Sequence, residues 1–201
     1  MMANVSRETQ ERLDIFTAIF LKWARAVNLV AASTIDDLQT RHIEDSIQLA
    51  RHAPPSAKTW VDLGTGGGFP GLVVAAIEAD TFPDRRFTLV EADQRKATFL
   101  REAARAMALT VNVITARIEQ MAPQNADVLS ARALAPLEIL CDYAARHLAP
   151  TGTALFMKGE GYAKEVMMAK QAGWTFDLEY KASTTQTGSV IIMLKNIVRD
   201  A

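Results

Sequence analysis

Cysteine is almost absent from this chain. Cys141 is the only cysteine among 201 residues, which excludes an internal disulfide and a cysteine-rich zinc site. Long apolar runs are missing too, since none reaches the roughly 18 residues that a membrane span needs. The first residues carry charges of both signs, for example Arg7 and Glu8. We therefore expect a reduced, cytoplasmic protein that is neither secreted nor inserted into a membrane.

The chain also lacks an excess of charge of either sign. Lys and Arg number 22 against 23 Asp and Glu, and the sequence pI is about 6.3. The net charge therefore gives no indication that the protein binds nucleic acid or a membrane surface. A polyanionic partner would have to be held by a local patch of positive charge. Hydrophobic residues make up 49% of the chain, enough for one domain of ordinary size with a sizeable core.

Two helices are predicted before residue 58. The first should begin after an N-cap at Ser6, run for about 20 residues and end near Asn28, because apolar residues recur at steps of three or four: Leu13, Phe16, Phe20, Trp23 and Val27. The second should run from about residue 33 to 53 and stop at Pro54-Pro55. Within it His42 and Asp45 can share one face, and periodicity alone favours a simple pair at the helix surface.

From Thr59 onward, apolar strands alternate with amphipathic helices, the pattern of an α/β sheet. Strands are predicted near 59–64, 86–91, 111–115, 127–131, 153–158, 174–181 and 190–197, with helices near 70–79, 94–107, 136–148 and 160–172. No helix separates the last two strands, so they should form an antiparallel hairpin. We predict a helical extension over 1–57 and a Rossmann-like α/β domain over 58–201.

A glycine-rich stretch, DLGTGGGFPG from Asp62 to Gly71, follows the first predicted strand. Glycines let the backbone approach a ligand closely, and the amides at the start of the following helix can bind an anionic group. Gly66 and Gly68 lie in the G-x-G-x-x-G pattern of dinucleotide-binding folds, which is a weak signal by itself.

Three features favour S-adenosylmethionine over a dinucleotide as the ligand of this loop. A carboxylate at Asp62 would repel a pyrophosphate but could face an ammonium group or orient the loop. Glu91, at the end of the second strand, is well placed to accept hydrogen bonds from ribose hydroxyls. The terminal hairpin is the third feature, because dinucleotide folds generally continue with parallel strands.

The glycine loop, together with Asn28-Leu29, RHIEDS (41–46), SARA (130–133) and Lys158-Gly159, resembles the small-subunit ribosomal RNA methyltransferase G family, also called glucose-inhibited division protein B. The resemblance covers essentially the whole chain. It implies a class I S-adenosylmethionine-dependent methyltransferase fold with an N-terminal helical extension, and methylation of N7 of a guanine in 16S ribosomal RNA. It also implies the donor-binding positions Gly64, Phe69, Ile118, Glu119 and Arg132.

Methyl transfer from a sulfonium is an in-line displacement, so the protein mainly has to place the acceptor atom. Guanine N7 already carries a lone pair and needs no general base; we therefore assign no catalytic base and name only Arg132 and Lys158 as positioning candidates. The fourth strand ends in SARA, whereas exocyclic amino methylation usually uses a D/N-P-P-aromatic motif there. Pyrimidine C5 methylation needs a cysteine nucleophile, and Cys141 lies in a buried helix pattern. A carboxylate such as Asp45 or Glu91 could stabilise the cationic product.

RNA must be held by local positive charge. Residues 84–117 contain seven basic and four acidic side chains, among them Arg95 and Lys96. This run is either an RNA-binding patch or an ordinary solvated surface. The family motifs point more directly to Arg41, His42 and Lys158.

The expected partner is 16S ribosomal RNA or the 30S subunit, bound by a monomer that uses no metal. Two alternatives stay open: a noncatalytic RNA-binding or ribosome-assembly protein that retains this fold, and a nicotinamide-dependent oxidoreductase. The intact loop and Glu91 argue against the first, and Asp62 and the terminal hairpin argue against the second.

Overall fold

The computed structural model describes residues 5–35 and 37–200, so the remainder of the predicted extension and domain lies outside the described residues. A seven-stranded sheet has the order β3-β2-β1-β4-β5-β7-β6. Its strands are β1 (Thr59–Leu63), β2 (Arg86–Val90), β3 (Val111–Ile114), β4 (Ala126–Arg132), β5 (Leu148–Lys158), β6 (Trp174–Ala182) and β7 (Val190–Arg199). The first five strands are parallel, whereas β7 runs antiparallel to both β5 and β6. The predicted α/β sheet and its terminal hairpin are confirmed.

Six α-helices accompany the sheet within the described residues: α1 (Arg7–Trp23), α2 (Asp45–Ala50), α3 (Gly71–Glu78), α4 (Gln94–Ala106), α5 (Leu137–His147) and α6 (Tyr162–Gln171). The last four follow the predicted bounds within about two residues. No helix in the described part of the chain is long and apolar enough to cross a membrane.

The first helix begins as predicted, because Ser6 Oγ accepts a hydrogen bond from the Thr9 amide. It ends at Trp23, five residues before the predicted end at Asn28. The prediction was wrong at this end because Val27 continues the helical spacing but is buried from the turn that follows the helix.

The predicted continuous second helix over about 33–53 is wrong. The chain instead forms a 3-10 turn (Ala32–Thr34), a π-helix (Leu38–Glu44) and α2, with Asp36 outside the described residues. Every residue from 45 to 49 is buried, which a helix with one solvent face cannot achieve. The segment is enclosed, because α2 packs on α3 and Gln48 bonds to the loop between β6 and β7.

The N-terminal helix packs into the same core as the glycine loop. The rings of Phe16 and Phe20 on α1 lie 5.4 and 5.6 Å from that of Phe69, which follows the loop glycines. The same two rings lie 6.3 and 6.0 Å from Phe99 on α4. Aromatic contacts at these centroid distances are stabilising, so the extension covers the loop and fixes its position.

Candidate functional site

The glycine loop is anchored from below by Asp62. This carboxylate is fully buried at the end of β1; it accepts hydrogen bonds from the Gly71 amide at 3.0 Å and from the Ser130 hydroxyl at 2.6 Å. Burial raises the pKa of Asp62 to about 6, against the lowering effect of those hydrogen bonds. Of its two predicted roles, orienting the loop has these contacts in its favour, whereas facing an ammonium group stays a prediction.

Two loop positions show why glycine is needed. Gly64 has a φ of +62°, the left-handed region that L side chains rarely adopt. A Cβ on Gly67 would lie 3.0 Å from both the Leu29 carbonyl oxygen and a ring carbon of Phe20. The first glycine serves the turn itself, and the second lets the N-terminal extension approach the loop.

Glu91 holds the other side of the loop. Its Oε2 accepts a hydrogen bond from the Gly66 amide at 2.9 Å, and its Oε1 accepts one from the Asp93 amide at 2.8 Å. Because each carboxylate oxygen can accept more than one hydrogen bond, these contacts leave capacity for ribose hydroxyls. Glu91 therefore joins the loop to the β2 side of the sheet.

A cavity of about 490 Å³ opens on the opposite side of the loop, over β4, β5 and the terminal hairpin. Its size falls within the range of small-molecule sites. The loop contributes Gly64, Thr65, Gly66, Gly67 and Phe69, and the carboxyl ends of β4 and β5 contribute Arg132, Ala133, Met157 and Lys158. The N-terminal segment contributes Leu29, Val30, Ala31, Thr34, Arg41, His42 and Asp45, and the hairpin contributes Ser183, Gln186, Ser189 and Val190. Ligands of open α/β sheets bind at this carboxyl edge of the strands.

The side chain of Arg132 contacts the N-terminal segment and Phe69 in the cavity wall. Its guanidinium donates to His42 Nδ1 at 2.8 Å and to the Arg41 carbonyl oxygen at 3.1 Å, and it lies 5.1 Å from the ring centroid of Phe69. Asp45 Oδ2 is 3.9 Å away. The predicted surface pair of His42 and Asp45 is thus wrong: both side chains are buried, and each interacts with Arg132 instead of with the other.

Asp45 also fastens the hairpin loop to the N-terminal segment. Its Oδ1 accepts hydrogen bonds from Thr185 Oγ1 at 2.7 Å and from Gln48 Nε2 at 2.7 Å, with Ser183 Oγ at 3.3 Å. Gln48 Oε1 in turn accepts from the Thr184 amide at 3.0 Å. The hairpin wall of the cavity is consequently held in place by residues of the extension.

Lys158, at the end of β5, is engaged within the protein. Its Nζ donates to the Ala135 carbonyl oxygen at 3.0 Å and pairs with Glu165 at 2.6 Å. Glu165 also accepts from the Leu137 amide at 2.8 Å. Lys158 therefore lines the cavity as Arg132 does, but its amine is already bound to Ala135 and Glu165.

Ile118 and Glu119 lie in a 3-10 turn between β3 and β4, on the β2 side of the glycine loop, and do not line the cavity. One face of α5 holds this turn. The Tyr143 hydroxyl donates to the Glu119 carboxylate, which lowers the pKa of that group. His147 Nε2 lies 3.3 Å from the Ile118 carbonyl oxygen. The turn is therefore fixed, and its donor-binding role stays a prediction.

The predicted site residues fall into three places. Seven of them line the cavity: Gly64, Gly66, Phe69, Arg132, Arg41, His42 and Lys158. Five do not line it: Asp62 and Gly68 belong to the glycine-rich stretch itself, and Glu91, Ile118 and Glu119 lie on its β2 side. The last two, Arg95 and Lys96, lie at the start of α4, away from the cavity. The backbone amides of Arg95 and Lys96 are capped by Asp93 Oδ1 at 2.8 and 3.1 Å. Their role in RNA binding stays a prediction.

Sequence reasoning missed the polar residues of the cavity that come from Thr34 and from the hairpin loop, Ser183 and Gln186. The loop's Ser and Thr content indicated only a turn. The RHIEDS segment interrupts the apolar spacing with polar residues, but this pattern alone does not distinguish buried polar partners from a solvent-facing surface.

Known proteins are similar to this chain in both sequence and fold. The family model described as rRNA small subunit methyltransferase G matches residues 9–190. The ribosomal RNA small subunit methyltransferase G of Cereibacter sphaeroides is 52% identical over 192 residues, covering 96% of this chain and 93% of that protein. The protein of the same name from a Ruegeria species is 48% identical over 196 residues, covering 98% and 95%.

Solved structures share the fold at low sequence identity. The ribosomal protein L11 methylase of Lactobacillus delbrueckii subsp. bulgaricus superposes with a TM-score of 0.60 at 17% identity, covering 81% of this chain and 79% of that one. TYW2 of M. jannaschii, solved in complex with AdoMet, gives 0.59 at 17% identity, with 79% and 76% covered. The seven-stranded sheet with its reversed terminal strand is thus a class I S-adenosylmethionine-dependent methyltransferase fold, and the chain belongs to the rRNA small subunit methyltransferase G family.

Proposed function

We propose that this protein transfers a methyl group from S-adenosylmethionine to N7 of a guanine in 16S ribosomal RNA. The observation that carries the proposal is the continuity of the glycine loop with the 490 Å³ cavity: Gly64 to Gly67 form part of the cavity wall. A donor held along the loop would present its methyl group to an acceptor in that cavity. Family membership supports the same substrate class.

The residues present fit the donor. The loop backbone at Gly64 and Gly66 is open to the cavity, and the nearest atoms to a Cβ on Gly66 would be 3.7 Å away. Glu91 and the turn at Ile118 lie on the side where the nucleoside would extend, over β2 and β3. When bound, S-adenosylmethionine supplies an electrophilic methyl group on a sulfonium. The protein supplies orientation, which is the main requirement of an in-line transfer.

The titratable groups around the cavity favour an acceptor that needs no deprotonation. Both ring nitrogens of His42 have hydrogen-bond partners, and burial with the charges of Arg132 and Arg41 lowers its pKa to about 4. Lys158 is paired with Glu165. Guanine N7 presents a lone pair directly, so neither group has to act as a base.

Cys141 and Asp45 bear on which base atom can accept the methyl group and on how the charged product is stabilised. Burial raises the pKa of the fully buried Cys141 thiol to about 12, which removes the thiolate that pyrimidine C5 methylation needs. Asp45 lines the cavity whereas Glu91 does not. Of the two carboxylates considered, Asp45 is therefore our candidate to offset the positive charge of an N7-methylated guanine.

The enzyme acts as a cytoplasmic monomer. Its substrate is either naked 16S ribosomal RNA or the 30S subunit. The exposed Arg41 side chain at the cavity mouth would contact RNA phosphates. Both substrate forms contain the same base, so they are compared directly in the assay below.

The test has two steps. Thermal midpoints are measured with S-adenosylhomocysteine, with NAD and without ligand; the methyl-donor product should raise the midpoint, and stabilisation by NAD alone would refute the assignment. Purified protein is then incubated with isotopically labelled donor and undermethylated 16S RNA or 30S subunits. Label should appear in 7-methylguanosine after nuclease digestion and at a site cleaved by borohydride and aniline. Label in another nucleoside would overturn the N7 assignment, and RNA binding without transfer would favour the noncatalytic alternative.

A further inference from the structure

We propose that His42 is a positioning residue that fixes the guanidinium of Arg132, and that it acts through Arg132 and not as a contact for RNA. The proposal rests on the proposed methyltransferase function. It replaces the expectation, taken from the RHIEDS motif, that His42 and its neighbour Arg41 both bind RNA.

The hydrogen bonds around His42 determine which ring nitrogen carries the proton. Thr34 Oγ1 donates its proton to the Ala31 carbonyl oxygen at 2.8 Å, so toward His42 Nε2, 3.0 Å away, it must act as the acceptor. His42 Nε2 therefore carries the hydrogen. Nδ1 is left with a lone pair, and Arg132, which can only donate, lies 2.8 Å from it. The hydrogen bond to Thr34 and the one to Arg132 therefore require the same neutral tautomer of His42.

Burial supports a role inside the protein. His42 is 8% exposed, and its ring centroid lies 5.1 Å from that of Phe69. The side chain of Arg41 is 48% exposed and its only ion pair among the described residues is a 4.0 Å contact with Asp37. The two neighbours thus point to different tasks, because an exposed guanidinium can reach a phosphate and a buried imidazole with both nitrogens occupied cannot.

Arg132 has few other means of keeping its position. It contacts the Arg41 carbonyl oxygen at 3.1 Å, and its nearest carboxylate, Asp45, is 3.9 Å away, beyond hydrogen-bonding distance. The 2.8 Å bond to His42 is the shortest of these contacts. Without it the guanidinium could rotate away from the face of Phe69 and from the cavity beside the glycine loop.

Asparagine and glutamine separate the two nitrogens of His42. The amide oxygen of Asn lies near the position of Nδ1, so His42→Asn retains an acceptor for Arg132. The longer Gln side chain reaches the position of Nε2, so His42→Gln retains the bond to Thr34 and loses the one to Arg132. Arg41→Ala is the matched control, because it removes an exposed positive charge at the residue next to His42. Thermal midpoints of all variants show whether a change in activity is merely a loss of folding.

Donor affinity is measured by calorimetry with S-adenosylhomocysteine, and steady-state kinetics are measured for donor and RNA separately. We expect His42→Gln to weaken donor binding about tenfold, a change of ~1.4 kcal/mol, with little change in the KM for RNA, and His42→Asn to stay within about threefold of wild type. Arg41→Ala should raise the KM for RNA and leave donor affinity unchanged. In an Arg132→Ala background, His42→Gln should have no further effect on donor affinity.

Three results would overturn the proposal: equal losses in His42→Asn and His42→Gln, a rise in the KM for RNA alone, or a full effect of His42→Gln in the Arg132→Ala background. An inactive wild-type protein with normal donor binding would instead contradict the proposed function. Because the calorimetric comparison does not depend on methyl transfer, the two failures are distinguishable.

Discussion

Replacing Asp62 by Asn tests whether a buried carboxylate anchors the glycine loop. The carboxylate accepts from Gly71 and Ser130, and Ser130 Oγ already accepts from Trp60 Nε1 at 2.8 Å. An amide at position 62 can accept from only one of its two partners. If its oxygen faces Gly71, its NH₂ group meets Ser130, whose own proton then loses its acceptor. The variant therefore loses a hydrogen bond to a charged group, worth about 1.5–3 kcal/mol.

The opposing effect is the cost of burying the charge, and it depends on pH. The pKa of Asp62 is 3.8 ordinarily and about 6 in the folded protein. A raised pKa favours folding below 3.8 and loses that contribution as the pH rises through 6. The full difference is ~3 kcal/mol, of which about 1.4 kcal/mol is present at pH 5 and almost none at pH 7.5.

Urea denaturation of wild type and Asp62→Asn at pH 5, 6 and 7.5 measures this difference. The stability advantage of wild type over the variant should fall by about 1.4 kcal/mol from pH 5 to pH 7.5. Subtracting the variant cancels other titrating groups, including His42, whose lowered pKa has the opposite effect. Asp127→Asn is the control: three groups of Lys58 and Thr59 donate to Asp127 Oδ2, and its pKa is lowered, so the difference should be constant over this range. A pH-independent difference for Asp62→Asn would refute the reasoning, and an opposite slope would indicate a carboxylate stabilised by a cation.

Three further substitutions test other parts of the structure. Gly64→Ala forces an L side chain into φ +62° and places its Cβ 2.6 Å from Leu134 Cδ1, so stability should fall by about 1–2 kcal/mol and donor affinity should fall with it in calorimetry; unchanged affinity would contradict a donor role for the loop. Cys141→Ala should leave methyl incorporation within about twofold of wild type, since the chemistry needs no thiolate, and complete loss in a folded variant would argue for covalent catalysis. Arg85→Met leaves the buried Glu78 carboxylate without its 2.6 Å partner and removes the donor to the Ala57 and Pro54 carbonyl oxygens, so it should cost about 3–5 kcal/mol in denaturant unfolding. Adding Glu78→Leu should restore only the part that comes from the unpaired carboxylate; a cost below 1 kcal/mol would mean that the pair is solvated.

The sheet could be predicted from the sequence because its signals are local. In β1, Trp60, Val61 and Leu63 are apolar and a glycine-rich turn follows; short, mostly apolar strands between turn residues are typical of a parallel sheet covered on both faces, and four of the five residues of β1 are buried. The hairpin of β6 and β7 followed from the absence of a helix between two apolar runs. Each of these signals lies within a dozen residues of chain and needs no knowledge of what packs against it.

The cavity wall could not be predicted in the same way, because its determining contacts join distant residues. His42 and Arg132 are 90 positions apart, and Asp45 and Thr185 are 140 apart. A polar side chain at regular helical spacing has the same pattern whether it faces water or a buried partner. The π-helix that carries His42 was not indicated by the sequence either, because π-helices are rare and no residue spacing over 38–44 distinguishes one from an α-helix.

The same contacts bear on the predicted division into an extension over 1–57 and a domain over 58–201, which stays a prediction. The extension supplies the Leu29 carbonyl that covers Gly67, the rings that pack on Phe69, and the acceptors that hold Arg132. Each of these lies against the glycine loop or against the cavity beside it. If the extension only bound RNA, its removal would leave the donor site intact. The packing argues otherwise: we propose that the extension is a structural part of the donor site, because its residues hold both the glycine loop and Arg132 in place.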